Sequence, residues 1–361
     1  MTELERLLAD AGLTGRGGAA YPAADKIAAA RANSAGLIVN ACDGELDAAK
    51  DWFVVSRHLD ELVHGAGLIA GEVTYAARGG SMSCDLLVRA GLPVLRVPDG
   101  YVASEESALV ALAHGGDARP VSRERPLVFG GRDTEGRKLR PTLVMNAETV
   151  WRISQIVRFG PRWFRSFGTP GEPGPRLVTV AGAARSPGVL EAAAGGPITE
   201  LLHRAVADPA FQALSVGGLS SGFLTRDEAV GLRWEDAQLA VFGCSIGSGV
   251  IRVVGADECP VRHVVQTLEF AARQSAGQCG PCMFGVPAVS ADFAALAAGD
   301  RNRATHLQRR LTLLTGRGAC RFPDGVARYL AGALRTFAAD VDAHLAGGCL
   351  VGRARRYADA S

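Results

Sequence analysis

Gly36-Leu37-Ile38-Val39-Asn40-Ala41-Cys42-Asp43-Gly44-Glu45 is the stretch that decides how the first part of this chain folds. Its apolar run Gly36–Asn40 suits a buried strand, and a polar turn follows at once. In an open α/β sheet, polar side chains just beyond the carboxyl end of a strand are where ligands bind. Asn and Asp also favour an ordinary turn, so position alone leaves a ligand role and a turn role for Asn40, Asp43 and Glu45 evenly matched. On either side strands and helices alternate. Residues 52–68 are amphipathic, 73–77 and 93–97 read as further strands, and 84–90 and 104–113 read as helices, with Ser104 as N-cap of the second. That alternation predicts a parallel α/β layer.

A Gly- and Pro-rich stretch at 168–175 marks a boundary. Beyond it come short strands at 176–181, 188–191, Ala213–Val216 and Val250–Val254, with one helix at 198–206, which together predict a small α+β module. From Pro260 the period becomes helical: Val261, Val264, Val265 and Leu268 share one face, as do Leu307, Leu311 and Leu314, and then Val326, Leu330, Ala333, Leu334, Phe337 and Val341. These stripes predict a bundle of four helices, a short one following a cysteine pair. The division expected is 1–168, 169–257 and 258–350, with a tail at 351–361.

With 361 residues, 48% of them apolar and 21% charged, the chain has the composition of a globular protein of two or three domains. A net charge of +2 and the lack of a basic run interleaved with aromatics argue against nucleic acid. Eight cysteines are too few for a disulfide scaffold and read as reduced thiols. The acidic start MTELERLLADAG is no secretion signal, and no apolar run reaches membrane-spanning length, so a cytoplasmic protein is expected, docked to a membrane only through a partner.

Four motifs carry chemistry. Gly15, Gly17 and Gly18, with Arg16 among them and Tyr21 and Lys26 just after, form a loop whose backbone N–H groups can approach a phosphate; alone, such a loop is more often a plain turn. The acidic turn after Gly36–Asn40 is the second. The third is Tyr101 with Glu105 and Glu106, where paired acids at a helix start ordinarily complement its dipole. The fourth is Cys279-Gly280-Pro281-Cys282 with the distant Cys320, three thiols suited to a soft metal or cluster. Cys42, Cys84, Cys244 and Cys259 lack such partners and read as packing residues, while Cys349, after His344, is undecided.

Taken in order, GRGGAAYPAA (15–24), NACDGELDAAKD (40–51), YVASEESAL (101–109), VMNAET (144–149) and SAGQCGPC (275–282), then Cys320, resemble the NADH-binding flavoprotein subunit of respiratory complex I and its relatives in soluble hydrogenases and formate dehydrogenases. There the same stations read GRGGAGFPTG, NADEGEPGTFKD, YICGEETAL, VNNVET and SCGxCxPC, with a distant fourth Cys. The resemblance runs from about residue 12 to 349. It implies a Rossmann-like α/β domain for FMN and NADH, a β-grasp module of the soluble-ligand-binding type, and a helical bundle carrying a [4Fe–4S] cluster. By similarity, Gly15, Arg16, Gly17, Gly18 and Lys26 would lie along FMN and NADH, with Tyr21 near the dinucleotide. Asn40, Asp43 and Glu45 would border the flavin, and Tyr101, Glu105, Glu106 and Asn146 would complete the pocket. Cys279, Cys282 and Cys320 would hold the cluster. No catalytic acid or base is implied, because the flavin carries the hydride chemistry.

The departures fall on functional stations. Cys42 stands for an Asp, which would strip a carboxylate from the flavin's surroundings; Ala20 stands for a Gly, Met145 for an Asn and Ala276 for the first cluster cysteine. Two readings follow. One is an NAD(P)H dehydrogenase subunit passing electrons through FMN and the cluster to a ferredoxin-like or membrane reductase partner, since the chain carries no ferredoxin segment. The other is a non-catalytic scaffold or relay, with the three cysteines holding a degenerate cluster or a structural zinc completed by His306, His344 or Cys349.

Overall fold

The computed structural model describes every residue except 124, 134 and 352–361, so most of the expected tail lies outside the described residues. Four strands pair in parallel in the order Val94–Val97, Val73–Arg78, Gly36–Asn40, Thr142–Asn146. Gly36–Asn40 is central because both its faces are apolar. Leu37 and Val39 enter one hydrophobic cluster and Ile38 the other, as alternation along a strand requires. The chain builds outward to one edge and then returns to lay Thr142–Asn146 on the opposite side of Gly36–Asn40. The order therefore reverses between these two strands, and their register sets Asn40 against Asn146 at the carboxyl ends.

Two local expectations need correction. The amphipathic stretch at 52–68 is two helices, Lys50–Arg57 and Leu59–Ile69, parted at His58, whose ring stacks on Trp151 with centroids 4.2 Å apart. Ser104 does not cap the helix after Tyr101. That helix is Glu106–Ala113, and the Glu105 carboxylate accepts from the N–H groups of Ser107 and Ala108 at 2.7 and 3.2 Å. A carboxylate matches the positive end of a helix better than a hydroxyl does.

Five strands form a second, mixed sheet in the order Gly222–Thr225, Ala213–Val216, Val250–Val254, Pro175–Gly182, Gly188–Ala193, with only Val250–Val254 and Pro175–Gly182 parallel. The helix Ile198–Arg204 buries Ile198, Leu201 and Leu202 in the same cluster as Val180, Leu214 and Ile251. The helical part follows as Pro260–Gln274, Val286–Ala297, Arg303–Leu314 and Phe322–Thr336, with the shorter Ala338–Leu345 last. Val264, Leu268, Val326, Leu330 and Ala333 meet in its core, as their spacing predicts. Phe322–Thr336 also lies close on the second sheet: a Cβ at Gly332 would stand 3.0 Å from the Gly222 Cα. Among the described residues no helix is long and apolar enough to cross a membrane.

Candidate functional site

Where the first sheet reverses its order, a cavity of about 720 Å³ opens, within the usual range for a small-molecule or cofactor site. Three parts of the chain wall it. The parallel sheet supplies Asn40 and Asn146 as a floor, the loop of the second sheet supplies Ser245, Gly247 and Ser248, and the helical part supplies Cys320, Arg321 and Arg328.

The glycine loop runs between the sheet floor and the loop of the second sheet. A Cβ on Gly17 would meet the Asn146 Cβ at 3.4 Å, and one on Gly18, which sits at φ +106°, would meet the Gly247 backbone at 3.5 Å. Ala20, in place of the Gly of related loops, sits at φ +49°, in the left-handed region that disfavours a side chain. Tyr21 projects half-exposed from the rim. Lys26 lies 3.8 Å from Glu106, which also pairs with Arg123 at 2.7 Å. Each of these lines the cavity; Arg16 does not. Its buried guanidinium points away and donates to the Pro173 carbonyl at 2.9 Å, while its own carbonyl accepts from Lys50.

Below the loop lies a network that sequence reasoning missed. The Lys50 ammonium, 3% exposed, donates to the Asn146 Oδ1 at 2.9 Å and to Glu148 at 3.0 Å. Glu148 in turn accepts from the Leu177 N–H at 2.7 Å, joining the first sheet to the second. Burial works against ionisation of Glu148, but the charges of Lys50, Arg152 and Arg16 hold it below the usual carboxylate range. Asp51 accepts from the Asn146 side-chain amide at 2.8 Å and from the Asp43 N–H at 3.0 Å. Asp43 accepts in return from the N–H groups of Asp51 and Trp52, both at 2.8 Å. Burial, then the neighbouring Asp51 charge, push the Asp43 carboxyl up to about 7. The pair Lys50-Asp51 ends the second of the four motifs, yet nothing in its one-dimensional pattern separates a buried pair from a solvated helix start.

Glu45 is clasped rather than free. It accepts from the Tyr101 hydroxyl at 2.6 Å and from the Leu219 N–H at 2.9 Å. Burial raises its pKa. Tyr101 packs on Phe322 with ring centroids 5.2 Å apart, beside Cys320. Cys42 lies outside the cavity, buried in the cluster of Ile38, Ala76 and Val97. The loss of an Asp at 42 therefore takes no carboxylate from the cavity wall of this chain, contrary to the sequence-based expectation.

The thiols gather next to this cavity. Cys279 and Cys282 follow the first helix of the bundle, where a π turn Pro281–Gly285 begins, and both pack in one apolar cluster. Burial opposes ionisation of Cys279, yet the Ala319 and Cys282 N–H groups aimed at its sulfur hold it below the ordinary thiol value. Ala276 packs with Cys279 and Cys320 against the apolar cluster that holds Cys282, so residue 276 stands near these thiols. Cys320 packs in the same apolar cluster and also lines the cavity. Three thiols brought together on one apolar cluster suit an iron–sulfur cluster. For the cavity, close glycine loops and the Ser248 hydroxyl, buried without a partner among the described residues, suit a phosphate-bearing cofactor.

The other cysteine expectations change. Cys259 is not a packing residue without partners: its sulfur lies 3.3 Å from the His344 Nε2, with Cys349 beside them. His344 and Cys349 thus belong to that group and not to Cys279, Cys282 and Cys320, while His306 is exposed on the helix Arg303–Leu314.

A parallel sheet with a glycine-lined cavity at its reversal point, and one thiol of a group of three on the cavity wall, defines an α/β redox protein built around a nucleotide cofactor. Residues 8–155 match the family described as the Nuo51 FMN-binding domain, and residues 262–344 match the NADH-ubiquinone oxidoreductase-F iron-sulfur binding region. The NADH-quinone oxidoreductase F subunit 2 of Rhizobium meliloti (strain 1021) is 27% identical over 95% of this chain and 89% of its own length. The corresponding F subunit of Mycobacterium tuberculosis (strain ATCC 25618 / H37Rv) is also 27% identical, over 95% of this chain and 84% of its own. Among solved structures, an NAD+-reducing [NiFe]-hydrogenase in the air-oxidized state superposes with a TM-score of 0.79 at 25% identity, covering 95% of this chain but only 62% of the hydrogenase chain. The chain belongs to the F-subunit family of NADH-quinone oxidoreductases.

Proposed function

We propose that this chain is the NADH-oxidising subunit of a larger assembly, taking electrons from NADH at FMN and passing them through an iron–sulfur cluster to a partner protein. One observation carries the reading: Cys320 belongs both to the thiol group and to the cavity wall, so cofactor and cluster would share a boundary. In this reading residues 1–168 bind flavin and dinucleotide, 169–257 form the β-grasp module, and 258–350 hold the cluster.

Gly15, Gly17 and Gly18 give backbone access to the cofactor's phosphate, and the Ser248 hydroxyl is available as a further donor. Asn40 and Asn146, fixed level with each other by strand register, hold the cofactor from the sheet side, and Lys50 anchors Asn146 from below. Glu45 and Tyr101 keep the wall next to Cys320 in place through their hydrogen bond. Tyr21 and Lys26 stand at the rim, where a dinucleotide would enter. When bound, FMN supplies hydride acceptance from a nicotinamide and release of electrons singly. The side chains supply position and charge, and none is required as an acid or base. Cys279, Cys282 and Cys320 would ligate the cluster, with the place of a fourth thiolate taken by Ala276. The acceptor is a ferredoxin-like or membrane reductase partner, which makes the working unit a hetero-oligomer.

The test is one absorbance spectrum of anaerobically purified protein, before and after NADH, with iron and sulfide analysis. Flavin bands that bleach on NADH, together with iron and sulfide, are expected. Protein lacking flavin absorbance and NADH-driven dye reduction overturns the proposal.

A further inference from the structure

A second thiol group lies at the other end of the bundle's first helix. Cys259 is the N-cap of Pro260–Gln274, and its sulfur accepts from the Arg262 N–H at 3.5 Å. His344 sits in the last turn of Ala338–Leu345, and Cys349 follows it. One donor atom from each of Cys259, His344 and Cys349 lies within 4.8 Å of the other two. In a tetrahedral zinc site the bond lengths place sulfur and nitrogen donors about 3.5 to 3.8 Å apart; Cys259 Sγ and His344 Nε2 stand 3.3 Å apart. Neither cysteine is in a disulfide among the described residues.

Two further features fit a metal. The His344 Nδ1 lies 3.2 Å from the Ala297 carbonyl. A carbonyl can only accept, so this contact puts the ring proton on Nδ1 and turns the lone pair of Nε2 toward the sulfurs, the arrangement by which ligating histidines are usually oriented. The Arg262 N–H is also directed at the Cys259 sulfur, a backbone donor of the kind that steadies a ligating thiolate once the metal has displaced its proton.

We propose that Cys259, His344 and Cys349 bind one zinc ion, with a water completing the tetrahedron. Each thiol releases its proton to solvent on binding, and no electron moves. The site is separate from Cys279, Cys282 and Cys320, because the 15 residues of Pro260–Gln274 span about 22 Å at the rise of an α-helix and the two groups lie beyond its opposite ends. Its task is to tie the start of the bundle to its last helix.

Zinc and iron are measured by mass spectrometry on the full chain as purified, and on Cys259→Ser, His344→Ala, Cys349→Ser and Cys279→Ser. The expected result is about one zinc per chain, lost in the first three variants with iron retained, and kept in Cys279→Ser when iron falls. Wild-type protein stripped of zinc and titrated with Co2+ is expected to show the visible bands of a tetrahedral thiolate site, a readout that needs no variant to fold. Absence of both zinc and Co2+ binding in reduced protein overturns the proposal. So does zinc that persists in Cys259→Ser, or that leaves with Cys279→Ser, or a Cys259–Cys349 disulfide in the native protein.

Discussion

Replacing Lys50 with Met tests the network beneath the cavity most sharply. The substitution keeps most of the side chain's volume and removes its charge. Three interactions go: the ion pair with Glu148 at 3.0 Å, the hydrogen bond to Asn146 at 2.9 Å and the one to the Arg16 carbonyl at 2.5 Å. The decisive quantity is not their sum but what is left behind. Glu148 is 2% exposed in its side chain, and its remaining partners are Arg152 at 3.8 Å and the Leu177 N–H at 2.7 Å. Removing one member of a buried pair costs about 3–5 kcal/mol, because the survivor is left charged and poorly solvated. Lys50→Met should therefore lose about 3 kcal/mol in urea denaturation, at the low end because Arg152 remains. Lys50→Met with Glu148→Gln should recover much of that loss. The variant should also acquire a pH dependence. Without Lys50 the folded-state pKa of Glu148 rises above its unfolded value, so its contribution is fully present below the unfolded pKa and is lost as pH rises through the folded one. The single variant should thus be most stable at acid pH. Two single substitutions that each cost under about 1 kcal/mol and add independently would refute the reasoning.

Three other expectations follow from particular residues. Ala276→Cys puts a thiol beside the apolar cluster in which Cys279, Cys282 and Cys320 pack, and should raise iron and sulfide per chain and slow loss of the iron–sulfur cluster in air; iron content equal to that of the parent protein would count against a ligand position there. Ala20→Gly relieves a residue held at φ +49° and, after the entropy a glycine loses on folding, should stabilise the protein by about 0.5–1 kcal/mol in urea denaturation. The raised pKa of Asp43, about 7, lies above its unfolded value, so its contribution is complete at low pH and disappears as pH rises through 7. Between pH 6 and 8 the flavin-free parent should lose about 1 kcal/mol more stability than Asp43→Asn, measured by denaturant titration at each pH.

What the sequence discloses, and what it withholds, follows the range of the interactions involved. Gly36–Asn40, Ala213–Val216 and Val250–Val254 are read to the residue because buried apolar runs bounded by turn residues need no partner to be recognised. The strands Thr142–Asn146 and Gly222–Thr225 escape. The first carries a motif whose polar end draws attention away from its apolar body, and the second is four residues with a leading glycine. The break at His58 depends on Trp151, more than ninety residues on, and no helical period reports it. Lys50, Asp51 and Glu148 look like ordinary charges at helix starts, and only the meeting of two sheets buries them. Cys259 and His344 are 85 residues apart and become neighbours only when the bundle closes. Individual stations can nonetheless be read from the chain, since Gly17, Asn40 and Asn146 sit in short motifs whose geometry is local. Their convergence on one cavity is a property of the topology.

The register of the two central strands has a consequence for how this protein tolerates mutation. Asn40 stands level with Asn146 because every pair from Gly36 with Thr142 onward is in step. Exchanging a side chain on either strand alters one contact. Inserting or deleting one residue turns alternate side chains to the opposite face, sending Asn146 into the core and Met145 out of it. Chain length within each strand is therefore the quantity under tighter constraint, and the identity of its apolar residues the looser one. A library built on this scaffold should vary the apolar positions of Gly36–Asn40 and Thr142–Asn146 and leave the number of residues untouched.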